Sequence, residues 1–297
     1  MDIRYEYMSK INLDMVKDKL PCRYEDSHKG TFGTMLSISG SRGMVGAGMF
    51  PVLAALRSGV GLVRAMMVES LYRIFSKDVL EPIYIPLEEN SEGTISKREI
   101  PKILENLSKC SSALIGCGIG WNEDSREIVE EVIKNSSVPI IIDADGINVI
   151  SENIDILKCS NSDIILTPHI KEFSRLSGRS IEEINADKAQ ISTDFVKKYG
   201  VTLVLKGSNT NIISKGGDMY LNMTGNSGMA KGGSGDVLAG MIGSLLAQKL
   251  SPLDASICAV HLHGLCGDRC AKNMSKTSML PSDIINQLPS LFIEIEK

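Results

Sequence analysis

The sequence predicts an α/β protein, with a largely parallel sheet, helices on both faces and an antiparallel hairpin toward the C-terminus. Three observations predict it. Short apolar runs alternate with helical patterns over most of the chain, which is the signature of repeated β-α units. Most of those runs are near-continuous hydrophobics, the mark of strands buried on both faces. After residue 206 the pattern changes to two short runs around Lys215-Gly216-Gly217-Asp218, where Gly-Gly can supply positive φ for a hairpin.

Strands are expected at residues 35–39, 62–67, 113–116, 139–143, 164–167 and 202–206, with the hairpin strands at 211–214 and 219–222. A helix is expected over 123–134, where Ile128, Val129, Val132 and Ile133 share one face and charge occupies the other. Residues 181–199 form another long amphipathic stretch. A further helix starts at Asp236, with Val237, Leu238, Met241, Ile242, Leu245 and Leu246 on one stripe. No Pro/Gly/Ser-rich linker divides the chain. Residues 1–297 therefore read as a single domain with a short N-terminal arm, 1–27.

Composition narrows the class. The 297 residues are 43% hydrophobic and 23% charged, ordinary for a soluble globular protein. A net charge of −4 lacks the basic footprint of a nucleic-acid binder. The apolar run at 44–68 is broken by Arg57 and Arg64, so it cannot supply the ~20 apolar residues of a membrane span. The N-terminus is too charged for a signal peptide. Seven scattered cysteines show no disulfide framework and read as reduced thiols of a cytoplasmic protein.

In open α/β sheets ligands bind at the carboxyl ends of the strands. Five candidate strands end in small or polar residues: Gly40-Ser41-Arg42-Gly43, Gly116-Cys117-Gly118-Ile119-Gly120, Asp143-Ala144-Asp145-Gly146, Thr167-Pro168-His169 and Lys206-Gly207-Ser208-Asn209-Thr210. Each alone is a possible turn; together they line one edge. The strongest segment is Thr224-Gly225-Asn226-Ser227-Gly228-Met229-Ala230-Lys231-Gly232-Gly233-Ser234-Gly235-Asp236, a glycine-rich loop that runs into a helix. Unpaired N–H groups and the positive end of the dipole make such a terminus a phosphate-binding device. Asp236 beside it is either a helix N-terminal acid or a general base that takes a proton from an attacking hydroxyl. Neither a P-loop nor a dinucleotide fingerprint occurs, because Trp121 stands where the latter needs its third glycine.

The glycine-rich segment resembles the anion hole of ribokinase-like enzymes. The wider set resembles one branch of them, the ADP/ATP-dependent (S)-NAD(P)H-hydrate dehydratases. It comprises His28-Lys29-Gly30, Gly40-Ser41 with Gly46-Ala47, Asp143-Ala144-Asp145, Thr167-Pro168-His169 with Glu172-Phe173, Lys206-Gly207 with Thr210, the long loop, and Leu262-His263-Gly264 with Gly267-Asp268. The resemblance runs from about residue 28 to 289. It implies a ribokinase-like three-layer αβα sandwich and the dehydration of hydrated NADH or NADPH. A ring hydroxyl would be phosphorylated by ADP or ATP with Mg²⁺, and phosphate would then leave. It further implies Asp236 as base, with Gly233, Ser234 and Gly235 around the developing phosphoryl charge. Ala47, Gly118, His169 and Asp236 would contact the hydrated cofactor, and Lys206, Gly207, Ser208, Asn209, Thr210 and Gly235 the nucleotide. Relatives suggest a homotetramer. No epimerase domain precedes the motifs, so a separate NAD(P)H-hydrate epimerase is expected as functional partner.

The chain departs from the family pattern in two places. Cys117 stands in Gly-Cys-Gly-Ile-Gly where Gly-Pro-Gly-Leu-Gly is usual, with loop stiffness the expected change, and Lys231 and Ser234 stand for the usual threonines of the loop, Ser234 keeping a hydroxyl and Lys231 adding a positive charge near the phosphates. Other readings remain beside the functional ones. His169 can be a satisfied structural histidine. Asp143 and Asp145 either approach Mg²⁺ through water or shape a turn. Asp268 reads as structural. His261 and His263 diverge on one helix and form no metal pair, so no protein metal site is assigned. The alternative function is a ribokinase-like small-molecule kinase of the hydroxyethylthiazole kinase type, and a further reading is a catalytically silent nucleotide binder.

Overall fold

The apolar runs become strands because branched and large aliphatic side chains pack well on a pleated surface covered from both sides. The computed structural model describes residues 8–296 and contains one ten-stranded sheet. Its strands are β1 (Ser9–Lys10), β2 (Thr34–Ile38), β3 (Leu62–Val68), β4 (Ile83–Leu87), β5 (Ser112–Ile115), β6 (Ile140–Ile142), β7 (Ile164–Leu166), β8 (Thr202–Leu205), β9 (Thr210–Ile213) and β10 (Met219–Asn222). They lie in the order β1-β10-β9-β8-β7-β6-β5-β2-β3-β4. Pairing is parallel from β4 through β8 and antiparallel in β8-β9-β10, as expected. Every residue of β5 to β8 is buried. In the hairpin turn only Gly217, at φ 101°, uses the left-handed region.

Two strands lie outside the expected set. The two residues of β1, Ser9 and Lys10, show no apolar pattern and pair parallel with β10. The edge strand β4 contains Pro86 and is only partly buried, as edge strands tolerate. The described part of the N-terminal arm, from residue 8, is therefore docked: α1 (Leu13–Lys17), capped by the Asn12 side chain, packs on α11 (Pro252–Asn273), and Lys19 pairs with Asp254. The stretch 181–199 is divided into α8 (Ile181–Ala186) and α9 (Lys188–Tyr199). Asp187 sits between them at φ −145° and its carboxylate accepts from the Gln190 N–H, so a cap interrupts a continuous amphipathic pattern.

Helices α2 (Val45–Arg57), α10 (Ser234–Ala247), α11 and α12 (Pro281–Ile295) contact one another as one layer. A second layer links α4 (Ile100–Leu107), α5 (Glu123–Asn135), α6 (Asp145–Ile150), α7 (Ile170–Ser177), α8 and α9, while α3 (Glu69–Phe75) packs against β3 and β4. The central helix α10 is buried for nearly all its length. It crosses α2 closely at Gly240, where a Cβ would stand 2.2 Å from the Pro51 carbonyl oxygen. Among the described residues no helix is long and apolar enough to cross a membrane, and all seven cysteines are free.

Candidate active site

The parallel strands deliver their C-terminal loops to one edge, and a cavity of about 850 Å³ lies there. Its wall combines Asp143 after β6, His169 after β7, Lys206, Gly207, Ser208 and Thr210 after β8, and the loop from Thr224 to Asp236. A second cavity of about 790 Å³ is lined by the C-terminal ends of α1, α2 and α12 and holds neither the loop nor these carboxylates.

The loop is shaped by its own side chains and by α11. The Gly225 N–H and the Asn226 amide donate to Asp268, at 2.9 and 3.0 Å, so Asp268 is structural as expected. Gly264 and Gly267 let the loop lie on α11. A Cβ at these positions would come within 2.2 Å of Thr224 Oγ1 and 2.3 Å of Met229 Sδ. Gly233, at φ 99°, turns the chain into α10, whose first turn lines the cavity; the Lys231 carbonyl accepts from the Ser234 N–H at 3.2 Å and the Gly233 carbonyl from the Val237 N–H at 3.1 Å, which leaves Gly235 and Asp236 at the helix start, where N–H groups lack intrahelical partners. Lys231 is directed elsewhere: its ammonium donates to the Thr277 carbonyl at 2.7 Å.

Asp236 stands in a perturbed electrostatic environment. Burial, reinforced by the Asp143 charge, pushes its carboxyl up to about 6. Asp143 is buried, and its Oδ1 accepts from Lys206 Nζ at 2.7 Å. Burial alone would lower the Lys206 ammonium, but the Asp143 and Glu172 carboxylates more than offset that and hold it above its ordinary value. Asp145 accepts from the Gly120 N–H at 2.9 Å and so shapes the neighbouring loop. Between them Ala144 adopts φ 49°, a strained conformation for a residue with a side chain, of the kind that accumulates at functional sites.

His169 serves structure while standing in the cavity wall. Its Nδ1 accepts from the Lys171 and Glu172 N–H groups, both at 3.1 Å, and Glu172 accepts from the His169 N–H at 2.7 Å. This is a reciprocal cap on α7. Burial, then the Lys206 charge, lowers the imidazole, and burial pushes Glu172 up to about 7. Ala47 and Gly118 meet each other: a Cβ on Gly118, at φ 62°, would lie 2.6 Å from the Ala47 Cβ. The two adjoin Cys117 and are not in the wall of the large cavity. Asn209 is also outside that wall, and its carbonyl accepts from the Asn211 amide at 3.1 Å. The His28-Lys29-Gly30 segment forms a turn whose Lys29 carbonyl packs on Gly61, where a Cβ would stand only 1.8 Å away.

Two features were not legible from residue types. Cys117, read as a stiffness change, is fully buried with its thiol 3.9 Å from Asp143 Oδ2, and burial and the neighbouring carboxylates raise it well above its usual value. His263 and His261 do diverge. His261 Nδ1 meets Asn222 Oδ1 at 3.1 Å, whereas His263 lines the cavity, pushed down to about 4 by burial and by Lys206. His263 Nε2 and Ser234 Oγ are buried in that wall without a hydrogen-bond partner among the described residues. Buried polar atoms of this kind call for partners, and a polar ligand would supply them.

Sheet order, helix layers and a glycine loop at a helix N-terminus define a ribokinase-like α/β protein. A ribokinase-like superfamily protein from Enterococcus faecalis has the same fold at a TM-score of 0.86 and 27% identity, covering 99% of each chain. Residues 35–290 match the NAD(P)H-hydrate dehydratase family, and the chain belongs to that family. It is 33% identical over 255 residues to the ADP-dependent (S)-NAD(P)H-hydrate dehydratase of Neisseria meningitidis, covering 83% of this chain and 80% of that protein. It is likewise 33% identical over 281 residues to the bifunctional NAD(P)H-hydrate repair enzyme Nnr of Moorella thermoacetica, covering 95% of this chain and 53% of that protein. The chain thus spans about half the length of several curated relatives it matches. The ADP/ATP-dependent NAD(P)H-hydrate dehydratase of Bacillus subtilis, co-crystallised with ATP and Mg²⁺, superposes at a TM-score of 0.83 with 28% identity, covering 98% and 99% of the two chains. A hydroxyethylthiazole kinase from Pyrococcus horikoshii shares the fold alone, at 14% identity.

Proposed function

We propose that this chain dehydrates the S form of hydrated NADH or NADPH back to the reduced cofactor, driven by ADP or ATP. The observation that carries this reading is Asp236: a carboxylate raised to about 6, in the first turn of α10, beside an anion-binding glycine loop, in a chain of this family. The nucleotide lies along Lys206, Gly207, Ser208, Asn209 and Thr210 with its phosphates toward Gly235. The hydrated ring approaches from Ala47, Gly118 and His169. Asp236 takes the proton of the ring hydroxyl as its oxygen attacks the terminal phosphoryl group. The N–H groups from Gly233 to Gly235, with the Ser234 hydroxyl, hold the developing charge. Breaking the carbon–oxygen bond, with loss of a neighbouring ring proton, releases phosphate and restores the double bond.

Mg²⁺ would neutralise charge on the phosphates. Lys206 engages one oxygen of Asp143 and Gly120 engages Asp145, so the protein offers no dedicated carboxylate cage. That donor set fits an ion held chiefly by phosphates and water, with Asp143 reaching it through water. Action as a cytoplasmic homotetramer, alongside a separate epimerase for the other hydrate form, belongs to the same proposal, and the bifunctional name of several relatives supports the pairing.

Purified protein mixed with hydrated NADH, Mg²⁺ and either ATP or ADP should regain NADH absorbance. Asp236→Asn should lose about 10²–10⁴-fold in rate while still binding nucleotide. Folded protein that recovers no NADH with either nucleotide would overturn the reading, and turnover of a hydroxylated metabolite instead would favour the small-molecule kinase.

A further inference from the structure

Cys117, Asp143 and Asp236 come from three separate places: the loop after β5, the end of β6 and the first turn of α10. One ligand atom from each, a thiol sulfur and two carboxylate oxygens, lies within 4.8 Å of the other two. Lys206 takes only Oδ1 of Asp143, at 2.7 Å, while the thiol faces Oδ2 at 3.9 Å. Among the described residues no backbone N–H or hydroxyl donates to the Asp236 carboxylate, and the Cys117 sulfur lies within 4.8 Å of it.

Tetrahedral zinc holds sulfur at about 2.3 Å and carboxylate oxygen at about 2.0–2.2 Å, which sets ligand atoms roughly 3.4–3.6 Å apart. A contraction of at most about 1.4 Å, and of only about 0.3 Å between the thiol and Asp143, would bring the three groups to that geometry. Asp143 and Asp236 both line the large cavity, so a fourth position would open into it. Charge also balances: two carboxylates, a thiolate, the Lys206 ammonium and a divalent cation sum to zero. Thiolate favours soft cations, whereas Mg²⁺ prefers oxygen and keeps its waters.

We propose that Cys117, Asp143 and Asp236 form a binding site for a soft divalent cation, Zn²⁺ or Cd²⁺, and that its occupation blocks the enzyme by engaging Asp236. On binding, the S–H bond breaks, the proton passes to solvent and a sulfur–metal bond forms, with no change of oxidation state. Proline, usual at the position of Cys117 in the family resemblance, would supply no ligand atom. Binding stands independently of the proposed reaction; only the inhibition rests on Asp236 being its base.

The test titrates the full chain with Cd²⁺ alone, following the ultraviolet sulfur-to-cadmium absorption, and with Zn²⁺ by calorimetry, in parallel with Cys117→Ala. One tight equivalent is expected, weakened more than about 100-fold by the substitution, because loss of even an outer-shell partner weakens metal sites about 10–100-fold. Equal Zn²⁺ affinity and an equal cadmium band in both proteins overturn the site. Cadmium NMR of the unsubstituted protein covers a variant that fails to fold: a shift for one sulfur among oxygens supports the site, and any other ligand set overturns it. With binding established, Zn²⁺ should inhibit the unsubstituted enzyme at concentrations that leave Cys117→Ala at its own uninhibited rate. Bound Zn²⁺ without inhibition would count against Asp236 as base, not against the site.

Discussion

Asp236 does its work through its environment. Burial first, and Asp143 second, hold its carboxyl near 6, so as the proposed base it is mostly ionised only above that value. The rate at limiting substrate should therefore rise as pH increases through about 6, which a pH profile of kcat/KM would read. The sign for stability is opposite. The folded-state value lies above the ordinary 3.8, so folding favours the protonated form and the folded state loses stability as pH rises through 6. Asp236→Asn should accordingly melt higher at pH 8, by about 1–2 kcal/mol once partial exposure is discounted, with the gain fading between pH 6 and 4. Lys206 and Asp143 act as a unit. Lys206→Met leaves a buried carboxylate unpaired and should destabilise by about 3–5 kcal/mol, whereas Lys206→Met with Asp143→Asn should lose less than the two singles combined. Urea denaturation of the four proteins measures the coupling.

At the scale of elements, α10 carries both packing and the proposed base. Its N-terminus faces the cavity and its body is pressed against α2 at Gly240. Gly240→Ala would drive a methyl into the Pro51 carbonyl and should destabilise by about 3 kcal/mol, although alanine is the better helix former by about 1 kcal/mol. Because that shift moves the same helix that presents Asp236, the variant should also lose activity at temperatures where it remains folded. Asp268 holds the loop from α11, so the loop and the helix behind it form one positioning unit.

For the whole molecule, the cavity is assembled from loops of the central sheet strands and from α10 and α11, so a ligand filling it ties the sheet to that helix layer. Nucleotide with Mg²⁺ at about 100 times its Kd should stabilise the fold by about 2.7 kcal/mol. For a chain of this size that is a rise of roughly 5 °C in Tm. Thermal denaturation with and without nucleotide measures it, and Thr210→Ala, which removes a hydroxyl from the cavity wall, should diminish the rise.

The sequence by itself determined the parallel sheet, the hairpin and the glycine loop before α10, because these rest on local periodicity and on residue types with few alternative uses. It also marked Asp236, Lys206 and His169, which are carried at the carboxyl ends of strands or the start of a helix, where motif and position coincide. Only the tertiary structure decided what depends on neighbours distant in the chain. It docked the N-terminal arm through β1, whose two residues have no pattern of their own. It split 181–199 with a cap at Asp187, which an unbroken amphipathic stripe conceals. It turned Lys231 toward Thr277 and placed the Cys117 thiol between two carboxylates. Spacing along a chain reports which face of an element a side chain occupies; which charges meet there is set by how segments 26 and 119 residues away from Cys117, the end of β6 and the start of α10, are packed.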